Sequence, residues 1–522
     1  MADHAWRRNT VTTACLSAQH WVDDFHRSQG RAPRVLHLGN IANNAYLNAK
    51  LSRAAGVEAD VLCCDYYHIM GCPEWEDADL AGDYGSDDLP DFRRVDLSGF
   101  RRPEWFVQGP SGLCLPYLTS IQQKRYVKAA VLRRALDLSR NPRMRRTAEP
   151  LLDLRRRARS ARLRAAVSAG VQGDALMVRA RALSQAFARV FPERGDRPSP
   201  EDLIPLVAAY GPFQSILSPY DVIHAYATQG LLPLVANRPY VAYEHGTIRA
   251  LPFKAEPLWQ LCALSYRSAA HVFITNADAL HAIRSLGLER VTFVPHPVNE
   301  AQLAEDDRSR ALRRELREEL DSNFLVFHPA RQDWTASKDP VWEKANDVFI
   351  RGFARFVREV NPRAAAVFVR WGRSVADTER LLHELGIAGR VRWVAPLPNR
   401  SMVRWIHASD LVADQFLIGA FGGITPKALA CGRAVMLKLD EAVHRWCFQE
   451  MPPVLNAHDE GAVFENLRRV YVQPDLRRAL ERDGLSWYRR HCSNDVVRDR
   501  LLGVYEGIIA EGAVSRTADS YA

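Results

Sequence analysis

The sequence predicts an α/β protein of two doubly wound parallel-sheet domains, the first carrying a helical, basic insertion. Three observations predict it. The chain has 522 residues, too many for one hydrophobic core. Short apolar runs alternate with helix-period segments through both halves. The stiff break Pro295-His296-Pro297 separates the two series and marks an interdomain hinge. With 47% hydrophobic and 25% charged residues the composition is that of an ordinary folded protein and excludes fibrous or disordered classes. No apolar run reaches the roughly eighteen residues of a membrane span. The N-terminal stretch to Trp21 lacks the apolar core of a signal peptide, so a cytoplasmic location is expected. The nine cysteines include no C-x-x-C pair; Cys63, Cys64 and Cys72 lie close together, but no second cluster gives zinc spacing. Reduced, buried thiols are expected, with no metal site.

Residues 1–30 read as an N-terminal arm, either a short helix or a mobile segment, and a first domain follows over 31–298. Arg34–Leu38 is a strand ended by Gly39; Ile41, Ala45, Leu47, Leu51 and Ala54 then keep helical spacing up to Gly56. A strand at 59–64 completes the opening of a parallel unit. A third strand, 105–108, is closed by Gly109-Pro110. From about 121 to 195 the chain is rich in Arg, Ala and Leu, good helix formers, and reads as a helical insertion. Strands resume at 222–225, 240–244, 271–275 and 292–294.

The second domain, 299–485, alternates more regularly. Phe324–His328 is a strand. A helix over 347–360 buries Phe349, Phe353, Phe356 and Val360, and stops at Asn361-Pro362. The strand Ala364–Val369, a helix to Gly386 and the strand Val391–Val394 come next. They are followed by the helix Asn399–Ala408 and a strand at 411–416. Pro426 marks a helix start and Gly432 its end, before a last strand at 434–437.

Charge is concentrated. Between 124 and 164 there are 15 Lys or Arg against Asp137, Glu149 and Asp153, a local +12 that exceeds the +9 of the whole chain. Anionic membrane surfaces attract such segments by about 1 kcal/mol per basic residue. Docking of 124–164 on the inner leaflet is therefore expected, with a solvated or oligomer-forming helix as the alternative. No nucleic-acid motif accompanies the arginines, and nucleic acid is not expected as a partner.

Ligands of open parallel sheets bind beyond the carboxyl ends of the strands, where glycine turns admit them and helix N-termini favour phosphate. Three turns qualify: Leu38-Gly39-Asn40, Arg370-Trp371-Gly372-Arg373, and Phe421-Gly422-Gly423-Ile424-Thr425. Asp77-Ala78-Asp79 has the D-x-D pattern of metal-dependent transferases, but it sits in an acidic run without the flanking strand and reads as a solvated loop.

The second half resembles the donor domain of the retaining, nucleotide-sugar-dependent glycosyltransferases of the GT-B fold, the "group 1" class or family four. The likeness runs in order over about 180 residues. Arg331 falls on the family's arginine. The run KANDVFIRGF, 344–353, falls on its K-G-x-D segment, with Lys344 on the phosphate-binding lysine. Ala408 and Asp410-Leu411-Val412 match its helix-to-strand passage, and 420–436 its glycine turn and closing strand. Residues 486–512 resemble the helix that crosses back onto the first domain, leaving 513–522 as a mobile tail.

The resemblance implies a transferase that moves a sugar from a nucleotide-sugar donor to a glycan or lipid-linked acceptor, as in cell-envelope polysaccharide biosynthesis. It implies no metal and no cofactor beyond the donor. Arg331 and Lys344 would meet the charge that builds up on the leaving diphosphate, with N–H groups at Gly422, Gly423 and Thr425 assisting. On the acceptor side, His245 in Tyr243-Glu244-His245-Gly246-Thr247 falls on the family's cleft histidine, and Gly39 and Asn40 on its glycine loop.

One departure stands out. Two glutamates, eight positions apart in the family, are here Gly419 and Lys427, and the second is the ribose-binding one. A lysine cannot accept a hydroxyl proton. Asp414 and Gln415 are the nearest candidates to replace it. Two alternatives therefore stay open: a catalytically silent GT-B binding protein, and a phosphorylase or lipid-phosphate sugar transferase in which Lys427 grips phosphate.

Overall fold

The computed structural model describes residues 17–80, 82–142, 145, 173–335 and 343–519. Two wholly parallel sheets organise them. The first has strands β1 (Arg34–Leu38), β2 (Glu58–Cys64), β3 (Phe106–Gly109), β4 (Val222–Tyr226), β5 (Val241–Glu244), β6 (His271–Ile274) and β7 (Val291–Phe293). Their order is 3-2-1-4-5-6-7. The second has β8 (Phe324–His328), β9 (Ala364–Val369), β10 (Val391–Val394), β11 (Leu411–Ala413), β12 (Val435–Leu437) and β13 (Leu455–Asn456), in the order 10-9-8-11-12-13. Both sheets reverse direction beside their first strand, the switch point at which ligands bind in such sheets. This is the two-domain plan of the GT-B fold.

The strands are apolar on both faces because helices cover both. β9, AAAVFV, is buried at every position. On one side it meets α10 (Asn346–Glu359), whose Phe349, Phe353 and Phe356 sit at helical spacing and are fully buried. Each such phenylalanine contributes about 2–3 kcal/mol by leaving water. The helices that matter earlier in the chain are α1 (Ser17–Gln29), α2 (Asn44–Ala54), α3 (Pro73–Asp77), α4 (Ser111–Gln122), α5 (Tyr126–Ser139), α6 (Gly173–Val190), α7 (Pro257–Ser268), α8 (Leu280–Ser285) and α9 (Asp307–Glu319). Those of the second domain are α11 (Val375–Glu384), α12 (Asn399–Ala408), α13 (Ile424–Ala430), α14 (Glu460–Val472), α15 (Pro474–His491) and α16 (Asn494–Asp519).

Three sequence expectations change. The arm contains α1, which is docked rather than loose: Trp21, Val22 and Phe25 are buried in one core with Val497, Leu501, Leu502 and Tyr505 of α16. The crossing helix does not begin at 486. α15 stays with the second domain, packing on α13 and α14, and the chain crosses at Cys492-Ser493 into α16, which continues to Asp519. α16 therefore runs past 512, the predicted end of the crossing helix. Of the basic stretch, 143–144 and 146–164 lie outside the described residues.

What is described of the insertion is unusual at its surface. Six of the eight exposed large hydrophobic side chains among the described residues are Ile121, Tyr126, Val127, Val131, Leu138 and Val178, on α4, α5 and α6. Val127, Val131, Arg134 and Leu138 follow one another up a single face of α5.

Candidate functional site

The cleft between the sheets is built from loops at the carboxyl ends of β8, β9 and β11 on one wall and of β1 and β5 on the other. Arg331 leaves β8 on a loop that β9 holds in place. Gln332 N–H donates to Trp371 O at 2.7 Å, and Ser374 N–H donates to Gln332 O at 2.7 Å. That crossing needs a glycine: Gly372 has φ +117°, and a Cβ there would lie 2.5 Å from Gln332 O. The Arg331 guanidinium stands 5.9 Å from the Trp371 ring centre, and among the described residues it forms no ion pair.

Lys344 is tied into the same loop. Its N–H donates to Asp333 O at 2.6 Å, its carbonyl accepts from Phe416 N–H, and its Nζ donates to Gln415 Oε1 at 2.7 Å. Burial pushes its ammonium down to about 8; Asp414 opposes that shift, while Arg331 and Arg249 add to it. Behind it, Asn346 Nδ2 donates to His328 Nε2 at 2.8 Å, and His328 Nδ1 donates to Ala413 O. Burial keeps His328 neutral, near 4.

Asp414 and Gln415 are engaged within the protein. Asp414 Oδ2 accepts from Thr425 Oγ1 at 2.7 Å and anchors the start of α13. Gln415 receives Lys344 and donates through Nε2 to Ala420 O. Neither carboxylate nor amide is turned to the cleft as a free acceptor for a ribose. The predicted Thr425 is likewise fully buried. Gly422 and Gly423 do line open space, since a Cβ on either would meet nothing within 4 Å. Gly419 has φ +77°, and a Cβ there would come 2.9 Å from Asp440 Cβ, so a glutamate cannot simply be restored at this position.

On the first-domain wall, β5 ends at Glu244, a buried carboxylate that accepts from the N–H groups of Gly246 at 2.5 Å and Ile248 at 2.9 Å. This turn presents His245. Burial lowers its pKa to about 4, and its buried Nε2 has no partner. His296 lies nearby, neutral for the same reason, with Nδ1 3.0 Å from Asn44 Oδ1. Asn40 is fully buried: its Nδ2 donates to Asn43 Oδ1 and Gly71 O, and its Oδ1 accepts from Tyr46 N–H. Its side chain clamps the β1 loop rather than facing the cleft. A Cβ on Gly39 would meet Gln229 Cγ at 2.7 Å, so the glycine serves close packing here.

Sequence reasoning missed Arg249. It pairs with Asp278 through two bonds of 2.6 and 2.7 Å, and its charge acts on Lys344, His245 and His296. A cation four residues beyond the cleft histidine was the available signal. Arg249 also lines a cavity of about 390 Å³ with Phe191, Arg194, Phe253 and His281.

The D-x-D segment is not a solvated loop. Asp77 binds Lys50 Nζ at 2.9 Å and accepts from Asn299 Nδ2 at 2.6 Å. Asp79 takes two bonds from Arg404, at 2.7 and 2.8 Å, and one from Arg308. Glu76 is buried and accepts from Asn399, whose Oδ1 receives Lys427 Nζ. Glu76 and Asp79 look solvated in sequence because their partners belong to the other domain, while Asp77 is held by Lys50 of its own domain as well as by Asn299. Among the described residues no group of three His, Cys, Asp or Glu could hold a metal ion. No described helix is long and apolar enough to cross a membrane.

No protein-family profile matches the chain. It is similar to the D-inositol 3-phosphate glycosyltransferase of Salinispora tropica, 33% identical over 179 residues, covering 32% of this chain and 36% of that one. It is 31% identical over 188 residues to the enzyme of the same name from Thermomonospora curvata, covering 34% and 42%. With D-inositol 3-phosphate glycosyltransferase 1 of Catenulispora acidiphila it shares 26% over 318 residues, covering 56% and 73%. The match thus spans less than half of the first two relatives. Among solved structures it is similar to Anabaena HepE in complex with UDP, at 17% identity and a TM-score of 0.47, over 61% of this chain and 85% of that one.

Proposed function

We propose that the protein is a glycosyltransferase moving a sugar from a nucleotide-sugar donor to a glycan or lipid-linked acceptor, retaining configuration and using neither metal nor further cofactor. The observation that carries this reading is the convergence of Arg331 and Lys344 beside the open Gly422-Gly423 turn. Breaking the sugar–phosphate bond leaves a diphosphate, and two fixed cations in a partly desolvated cleft stabilise that developing charge. The seven-residue α13 is short, so the cations carry most of this effect. The similarity to named glycosyltransferases supports the same reading.

The acceptor enters from the first-domain wall. His245, neutral and with Nε2 unpartnered, orients the attacking hydroxyl. The cavity under Phe191 and Phe253 is large enough for a sugar ring with an apolar face. Placement on an anionic membrane, in the service of cell-envelope polysaccharide synthesis, is part of the proposal. It is supported by the exposed stripe of α5 between Lys124, Arg125, Lys128 and Arg134. The test is sugar transfer or nucleotide release over a panel of nucleotide sugars, with a lipid extract as acceptor. Turnover with at least one donor, reduced about a hundredfold or more by Lys344→Ala, is expected; no nucleotide bound and no donor cleaved would sink the reading.

The silent-protein alternative is favoured by Gly419 and Lys427, and the same panel decides it. The phosphate-gripping role for Lys427 loses support, since its ammonium is engaged with Asn399.

A further inference from the structure

Asp410 stands just before β11, with its side chain only 1% exposed. Its carboxylate accepts from Leu325 N–H at 2.9 Å and is paired with three guanidinium groups. Arg313 and Arg317, one turn apart on α9, supply two of them, Arg317 at 3.2 Å. Arg477, in the first turn of α15, supplies the third at 3.1 Å. A fourth arginine, Arg433, lies in the turn between α13 and β12 and donates to His407 O at 3.0 Å. It belongs to the same cluster, because its charge acts on Arg313 together with those of Arg317 and Arg477. Glu305 and Glu481 approach Arg433 and Arg477 only to 3.7 and 3.8 Å.

A carboxylate has about four acceptor positions and each guanidinium about five N–H donors, so the cluster holds far more donors than its acids can meet. Arg317, Arg433 and Arg477 each keep an enclosed Nε with no partner among the described residues. A buried, unmet N–H on a cation is rare and marks a place for a water or an ion. The arginines are nevertheless open to solvent: their side chains are 17–39% exposed, so Asp410 is the floor of a basic surface. Burial, then the charges of Arg317, Arg433 and Arg477, lower Arg313 from its ordinary value, and Asp410 opposes them. A further anion would relieve that repulsion. Planar guanidinium groups match the oxygens of a phosphate in pairs. Neither α9 nor α15 exposes a large hydrophobic side chain, which fits a free phosphate rather than a lipid headgroup. We propose that Arg313, Arg317, Arg433 and Arg477 form a binding site for a soluble, multiply charged phosphate on the second domain, at the opposite end of the sheet from the donor cleft. Asp414, whose charge acts on Lys344, is at the far end of β11, about 13 Å from Asp410 by the rise of a strand. The site is thus separate from the cleft, and the proposal does not depend on the transferase reading.

The experiment is calorimetric titration of the full chain with inorganic pyrophosphate at fixed ionic strength. Lys344→Ala removes the grip of the donor cleft, so pyrophosphate still taken up by that variant reports on the arginine cluster. Uptake of one equivalent is expected. Adding Arg477→Gln to Lys344→Ala should weaken it about tenfold, the effect of losing one charge-assisted hydrogen bond. Arg433→Gln leaves every contact of Asp410 in place and should act in the same direction if Arg477→Gln fails to fold. No uptake by Lys344→Ala overturns the proposal and leaves the cluster as an ion-pair brace for Asp410. Uptake that neither arginine variant weakens overturns it as well. A wild type that binds pyrophosphate at the arginines alone, with Lys344→Ala unchanged, supports this site and counts against the transferase reading.

Discussion

At Lys344, burial and the guanidinium groups of Arg331 and Arg249 work against the ammonium, Asp414 works for it, and the balance lies at about 8. The group is a base with a depressed pKa, so it is charged below that value and neutral above it. Affinity for a nucleoside diphosphate should therefore be flat from pH 6 to 7 and fall as pH rises through about 8. Lys344→Arg, whose cation does not titrate in this range, should flatten the profile even if it weakens binding. Titrations across pH check both. At this scale Arg331, Lys344, His245, Gly422 and Gly423 could be proposed from sequence because the family resemblance supplies a frame for them. Arg249, Asn399 and Glu76 were not, since their significance lies in a partner more than 70 residues away. Asp414 and Gln415 were read as acceptors because nothing in the sequence shows that Thr425, Lys344 and Ala420 already engage them.

At the scale of elements, the loops that carry the cations depend on two backbone positions. Ala345, next to Lys344, sits at φ 48° as the residue before α10, a left-handed conformation that costs an L-residue about 1–2 kcal/mol. The resembled family has glycine there. Ala345→Gly should raise stability by about 0.5–1 kcal/mol, seen as a higher melting temperature with nucleotide affinity unchanged. Gly372→Ala is the opposite case. Its φ of +117° and the 2.5 Å approach to Gln332 O leave no room, so Arg331 should be displaced. Nucleotide affinity should drop about tenfold or more while far-ultraviolet circular dichroism stays native. Element boundaries were clearest in the second domain, where the strands Phe324–His328, Ala364–Val369 and Val391–Val394 coincide with their predicted limits. Short, mainly apolar runs closed by turn residues read as buried strands of a parallel sheet there. α3 was missed because a five-residue acidic helix has neither the length nor the apolar period to announce itself.

At the scale of the whole molecule, the first domain carries an exposed apolar stripe on α5, which the proposed function assigns to membrane docking. Val127→Asp with Val131→Asp places two charges in the exposed stripe of α5 without touching its buried Ala129 and Leu136. Co-sedimentation with phosphatidylglycerol vesicles should fall about tenfold or more, while binding to zwitterionic vesicles stays weak for both proteins. Equal sedimentation of variant and wild type would remove α5 from the docking surface. The two-domain plan was legible as a whole because alternation of strand and helix repeats on either side of Pro295-His296-Pro297. The relation between the domains was not, since it is made by side chains distant in sequence.

The chain passes between the domains twice, near His296 and again at Cys492-Ser493. The two passages lie side by side. The carboxylate of Glu300 accepts from Tyr488 Oη at 2.8 Å and from Asn494 N–H at 2.9 Å, and Arg500 Nη1 reaches Phe293 O. A body attached to another at one point can swivel in any direction. Joined along two stitched strands at one edge, it has a single easy degree of freedom, a swing about the line those strands define. Two such tethers at one edge restrict how the second domain can swing on the first, and the contacts of Asn399 with Glu76 span the two bodies so joined.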